Sequence, residues 1–193
     1  MTKYDRLIKS GFEVFNVDDL AILWAAKNRR TVLESIKGYI KRGKIYKIYK
    51  GIYAINKDYD KCALAQKLFT PSYITYYTAL AKHGIIFQHY HEIHMFSVNS
   101  KIYEIHNQKY VFHKIKLEVL YNQKGIIVEN NYSIATPERA LCDSLYLNHT
   151  MSFDNLRNIN VKELKIMSEI YKNKRLENDV QKLITYVEEK YAE

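Results

Sequence analysis

The chain has 193 residues, 47% of them hydrophobic and 26% charged, with six glycines and two prolines. That composition supports one large packed domain or two small ones and excludes a long flexible linker or a disordered half. A formal net charge of +9 directs attention to where the excess cations sit.

The first twelve residues are polar, with Lys3, Asp5, Arg6 and Lys9, and do not read as a signal peptide. The longest apolar stretch, residues 20–26, is far too short for a membrane span. Cys62 and Cys142 lie far apart in no CxxC pattern, which argues against a disulfide framework or a zinc ribbon. A cytoplasmic location is the expectation. The 18 tyrosines accompany abundant Lys, Asn and Ile and are read as compositional bias rather than a base-stacking platform.

Leu7, Ile8 and Phe12 predict a short first helix, with Gly11 near its end. Asn16 is the expected N-cap of a second helix, because Asp18 and Asp19 follow and complement the helix dipole. Leu20, Leu23 and Trp24 fall at helical spacing. After Lys27-Asn28 a third helix is expected over 30–42. Its apolar face is Val32, Leu33, Ile36, Tyr39 and Ile40, and Gly43 closes it. Residues 45–49 and 52–55 are β-rich runs around Lys50-Gly51 and predict a hairpin. Three helices followed by a hairpin predict a winged helix-turn-helix over residues 1–58.

The charge is concentrated in this part. From Lys27 to Lys50 there are nine basic residues and the single acid Glu34, a net of +8, so the rest of the chain carries only +1. A phosphate-binding surface concentrates charge in this way. The expected contacts to double-stranded DNA are Asn28, Arg29, Arg30 and Thr31 at the leading end of the third helix, in the major groove. Lys37, Lys41 and Arg42 lie off its apolar face, Lys44 follows its closing Gly43, and the wing brings Lys47, Tyr49 and Lys50 to the backbone or minor groove.

Residues 59–193 predict an α+β domain with a short-stranded, mostly antiparallel sheet and C-terminal helices. A helix over 62–69 precedes the break at Thr70-Pro71-Ser72. Tyr73-Ile74 reads as a short strand, and Thr75 as the cap of a helix over 76–83 closed by Gly84. Strands are expected at 93–98, 102–105, 110–115, 126–128 and 132–135, separated by Asn-containing clusters. Thr136-Pro137-Glu138 is a helix start with Ala140, Leu141, Ser144 and Leu145 inward. Arg139 and Asp143 are i, i+4 partners expected to pair on the surface. Asn160 with Glu163 resembles a capping box, and Leu176, Val180, Leu183, Ile184, Val187 and Tyr191 form the stripe of a last helix.

There is no Walker A sequence, no GxGxxG and no GxSxG elbow. His89, His91 and His94 are close together, but their spacing is not HExxH and they read as an exposed loop rather than a metal site. Glu92, Glu104, Glu118 and Glu129 are too dispersed to hold the divalent metal of a nuclease. The expectation is a non-enzymatic protein with no metal and no cofactor.

Three segments together resemble the AbiEi antitoxins of type IV toxin–antitoxin systems. The first is the run from Gly43 to Tyr53, which fits the family's wing pattern. The second is residues 73–84, with Thr78-Ala79-Leu80 at its centre and a closing His83-Gly84. The third is Ile134-Ala135-Thr136-Pro137-Glu138-Arg139-Ala140-Leu141-Cys142-Asp143. The resemblance singles out Thr78, His83, Thr136, Pro137, Glu138, Arg139 and Asp143 as the motif of the second domain. It implies an N-terminal domain that represses its own operon, and a C-terminal domain that counters a nucleotidyltransferase-type toxin without a stable complex. A stand-alone winged-helix regulator with a ligand-sensing or dimerisation domain is the alternative. An enzyme on nucleic acid with the winged helix as its targeting module comes third.

Overall fold

The computed structural model describes residues 1–88, 90–148 and 150–191. The chain is mixed α and β and forms two compact units, Met1–Thr70 and Pro71–Glu193.

The first unit opens with α1 (Lys3–Lys9), begun by a capping box in which Thr2 and Asp5 satisfy each other's backbone N–H. The short strand β1 (Val14–Asn16) runs directly into α2 (Val17–Leu23). Asn16 caps α2 as expected, and Asp19 completes a second capping box. Next, α3 (Arg29–Lys41) starts on Asn28, whose Oδ1 accepts from the Thr31 N–H at 2.9 Å. It ends on Gly43 at φ +67°. There Lys44 N–H donates to the Tyr39 carbonyl and Gly43 N–H to that of Ile40, the two bonds of a Schellman motif.

The hairpin of β2 (Tyr46–Tyr49) and β3 (Ile52–Ala54) follows, with a bulge between Lys47 and Tyr49. β1 adds to its far side, giving the antiparallel order β1-β3-β2. Leu7, Phe15, Val17, Leu20, Trp24, Val32, Ile36, Ile45 and Tyr53 close one core. Leu33 and Tyr39 are half-buried, whereas Ile40, expected on the apolar face of α3, is 37% exposed. It lies at the edge of that face, where the helix turns toward its end.

The boundary at residue 58 moves to Thr70. α4 (Lys61–Leu68) buries Ala63, Leu64 and Ala65 and packs on β1 and β3. Two polar ties hold it in the first unit. Lys67 Nζ meets Asp19 at 2.8 Å with both side chains largely buried, and the Asp60 N–H donates to Glu13 at 3.0 Å. The change of composition near Cys62 marks the start of this helix, and Pro71 marks the true division.

The second unit is built on a six-stranded sheet. Its members are β4 (Ser72–Ile74), β5 (Ile93–Ser97), β6 (Lys101–Ile105), β7 (Gln108–Lys114), β8 (Ile126–Glu129) and β9 (Tyr132–Ala135), in the order β6-β7-β5-β4-β9-β8. Hairpins β6–β7 and β8–β9 turn through His106-Asn107 and Asn130-Asn131, all four residues at positive φ. That is the backbone a two-residue type I′ turn requires. Three of the five pairings are antiparallel, as expected, and the two parallel ones fall at the centre. β4 pairs antiparallel with β5, but β4–β9 and β5–β7 are parallel, so the sheet is mixed. Parallel pairs arise because those strands arrive by crossovers rather than tight turns.

Helices α5 (Tyr76–Lys82), α6 (Leu117–Leu120), α7 (Pro137–Leu147), α8 (Val161–Glu169) and α9 (Lys174–Tyr191) complete the unit. α7 is the hub, packing against α5, α8, α9 and β9. It is buried at every position from Arg139 to Leu145. Of the stripe on α9, Leu176, Val180, Ile184 and Val187 are buried as the spacing predicts, while Leu183 and Tyr191 are half-buried. Among the described residues, no helix is long and apolar enough to cross a membrane.

Candidate nucleic-acid interface

α3 is amphipathic, and the charge falls where its packing leaves it. Val32 and Ile36 anchor one side. At 100° per residue Arg30, Glu34, Lys37 and Lys41 lie within about 60° of one line on the opposite side. All nine basic residues between Lys27 and Lys50 are solvent-exposed, as are Asn28 and Thr31.

The leading end is partly self-engaged. Arg29 is ion-paired with Asp18 of α2, and Arg30 Nε lies 3.2 Å from Glu34. Both pairs are highly exposed, with 90% of the Arg30 side chain in solvent, so each holds only weakly and exchanges readily for another anion. Asn28 spends its Oδ1 on the Thr31 N–H and hydroxyl. Its first role is therefore to start α3.

At the other end, aromatic rings hold the cations. Arg42 lies over Tyr39 at 4.9 Å, and Lys44 over Tyr4 at 4.5 Å. Tyr39 packs on Tyr4 and Trp24, and Trp24 Nε1 donates to the Lys3 carbonyl. Lys3 in turn reaches Ser35 of α3 at 3.0 Å. Tyr4, Tyr39 and Lys3 were outside the expected set. The signal for them is the interleaving of tyrosine with basic residues in the sequence. In the hairpin, Lys47 and Lys50 are exposed and Tyr49 is half-buried.

The motif residues of the second unit serve its architecture. Thr136 caps α7 and Pro137 takes its first position. Glu138 accepts the Asn160 N–H at 3.1 Å, the bond that a capping box would have given to Glu163. His83 Nε2 meets the Ala135 carbonyl at 2.8 Å, tying α5 to β9. Thr78 accepts the His94 N–H at 2.8 Å. Thr75 makes no cap bond to α5; its hydroxyl donates to Asp143 at 2.6 Å instead.

Arg139 and Asp143 are fully buried, not on the surface as their spacing suggested. Arg139 donates to the carbonyls of Val119 and Lys124 at 2.8 and 2.9 Å and to the Tyr73 hydroxyl at 3.1 Å. Asp143 accepts from Tyr73, Tyr171 and Thr75 and lies 3.5 Å from Arg139 Nε. Burial works against the guanidinium charge, but Asp143 and the two tyrosines hold the Arg139 pKa above its ordinary value. Gly125, at φ +70°, packs so closely that a Cβ would come 2.8 Å from the Arg139 Cβ and the Met167 sulfur. Cys142 is buried beside this pair, and burial pushes its thiol pKa up, leaving it unreactive.

The histidines separate. His89 lies outside the described residues, His91 is exposed, and His94 is buried on β5. His94 Nδ1 is 2.9 Å from His113 Nε2 on β7, and the rings stack at 11°. Among the described residues no group of three or more His, Cys, Asp or Glu is placed to hold a metal.

Burial, helped by the nearby His113, lowers the His94 pKa from 6.5 to about 4. An unfolded chain takes up this proton near pH 6.5, whereas the folded one resists down to about pH 4. The stabilisation is therefore complete above about pH 6.5 and is lost as pH falls toward 4. Its size is roughly 3 kcal/mol. Urea unfolding at pH 7, 5.5 and 4.5 should show the midpoint falling, and the fall should be shallower in His94→Gln. Equal slopes in both proteins would remove His94 as the cause.

No protein-family model and no curated protein matches the chain.

Proposed function

We propose that the first unit is a winged helix that binds duplex DNA, with α3 in the major groove and the β2–β3 hairpin as the wing. A helix, a short strand, two helices and a hairpin, with the short strand paired onto the hairpin, is the chain order of that fold. The observation that carries the reading is the exposure of all nine basic residues from Lys27 to Lys50, while the second unit is close to neutral. Cations spread over a solvated surface need no such concentration; phosphates select for it.

With its three segments resembling the AbiEi antitoxins, the protein is proposed to repress its own toxin–antitoxin operon and to counter a nucleotidyltransferase-type toxin. A stand-alone regulator is the second reading. It is favoured by the internal engagement of Thr78, His83, Thr136, Glu138, Arg139 and Asp143, which gives those side chains structural work within the second unit. Co-expression with such a toxin separates the two: rescue of growth supports the antitoxin, and unrelieved toxicity supports the regulator.

The primary test is fluorescence-anisotropy binding to the duplex upstream of the gene against a scrambled duplex, across a salt series. Preference for the upstream duplex that persists at physiological salt is the expected result. Equal, salt-labile binding to both would refute a specific reader. Replacing Arg29 and Arg30 together by Ala should weaken binding and lower the log–log salt slope by up to about 1.8, at about 0.9 per phosphate contact. An unchanged slope and affinity would take the start of α3 out of the interface.

A further inference from the structure

Glu34 is the only acid between Lys27 and Lys50, and its place on α3 is not peripheral. It follows Arg30 by one turn and precedes Lys37 and Lys41 by about one and two turns. It shares their line along the helix, so any surface those cations face, Glu34 faces too. Its side chain is 63% exposed. Among phosphates a carboxylate there is repelled on every side.

Helix stabilisation gives a weak account of it. The pair with Arg30, 3.2 Å apart, is i, i+4 and open to solvent. The basic residue comes first, which is the less favourable order against the helix dipole, and such pairs are worth only about 0.2–0.5 kcal/mol. A basic or neutral residue at this position would serve non-specific binding better.

One group in the major groove rewards a carboxylate. The exocyclic N4 amine of cytosine is a donor, and Glu or Asp is its matching acceptor. Resting on the DNA-binding reading above, we propose that Glu34 is the residue of α3 that specifies sequence, by accepting from the N4 amine of a cytosine. Arg30 exchanges Glu34 for DNA when the complex forms. The flanking lysines supply affinity without choosing bases, and Glu34 lowers affinity everywhere except over its cytosine. The ligand is therefore a duplex with a C·G pair at one fixed position in the segment beneath α3.

The test is selection from a randomised duplex pool with the full chain, followed by anisotropy on the selected site and on its single-pair variants. The wild type should select C at one position and discriminate there by roughly 5- to 150-fold. Glu34→Ala should lose that preference while binding non-selected duplexes more tightly. Glu34→Gln should move the preference to A, whose N6 and N7 match a carboxamide. The position is exposed, so both variants keep the fold.

If both variants tighten binding to all duplexes alike and leave the selected sequence unchanged, Glu34 is only a repulsive charge and the proposal fails while DNA binding stands. If the wild type enriches no sequence and binds no duplex, the DNA-binding reading fails, and this proposal with it.

Discussion

Asp143→Ala is expected to destabilise the second unit by about 3–5 kcal/mol, the usual cost of removing one partner of a buried ion pair. The reason is what remains. Arg139 stays fully buried, its charge no longer balanced, while the hydroxyls of Tyr73, Tyr171 and Thr75 lose their acceptor. The effect should spread, because these groups come from β4, the approach to α5, α7 and the segment between α8 and α9. Urea unfolding measured by circular dichroism reads it directly. Replacing both members with apolar residues, Arg139→Met with Asp143→Leu, should cost less than Asp143→Ala alone, because no charge is then stranded. A double variant less stable than the single one would mean that the hydrogen bonds, and not the charge balance, carry the stability.

The largest functional effect is expected from Lys37, Lys41, Lys47 and Lys50 changed together to Ala. All four are exposed, two on α3 and two on the β2–β3 hairpin. The change should leave folding intact, since exposed substitutions away from caps and core usually shift stability by less than about 0.5 kcal/mol. Binding should suffer almost uniformly across sequences. The salt slope should fall by about 3.6 if each lysine meets one phosphate. Affinity at low salt should drop by at least about a thousandfold, taking roughly 1.5 kcal/mol for each charge-assisted contact and 1.36 kcal/mol for a factor of ten. Retained affinity with an unchanged unfolding midpoint would place the nucleic acid elsewhere or remove it.

Much of the fold was legible in the sequence because its elements carry local signals. Asn16 before two aspartates, Gly43 after a periodic run, and Thr136-Pro137 each fixed a helix end within a residue or so. The turns at Asn130-Asn131 and His106-Asn107 fell between β-rich runs. What escaped was non-local. β1 has only three residues, too few for a period, and exists because Val14 to Asn16 pair with Ile52 to Ala54. α4 looked like the start of a second domain because its tie to the first, Lys67 with Asp19, joins residues 48 apart. α6 is a single turn of helix among strands.

The candidate interface was legible as charge, since nine basic residues against one acid needs no coordinates. The aromatic support beneath it was not. The rings of Tyr4 and Tyr39 beneath Lys44 and Arg42 bring together residues more than thirty apart at one of those two contacts. Arg139 and Asp143 were misplaced for a general reason. Charged residues are rarely buried, so an i, i+4 pair reads as surface unless its buried partners are known. Those partners, Tyr73, Thr75, Tyr171 and the carbonyls of Val119 and Lys124, are scattered over some hundred residues of chain.

The closeness of Gly125 to the Arg139 stem also bears on how this protein can change over generations. A side chain at 125 must displace Arg139, and loss of Arg139 strands Asp143, so no member can drift alone without passing through an unstable chain. Residues 125, 139 and 143 are therefore expected to be inherited as a set, and in descendants of this sequence a change at one should be found together with changes at the others.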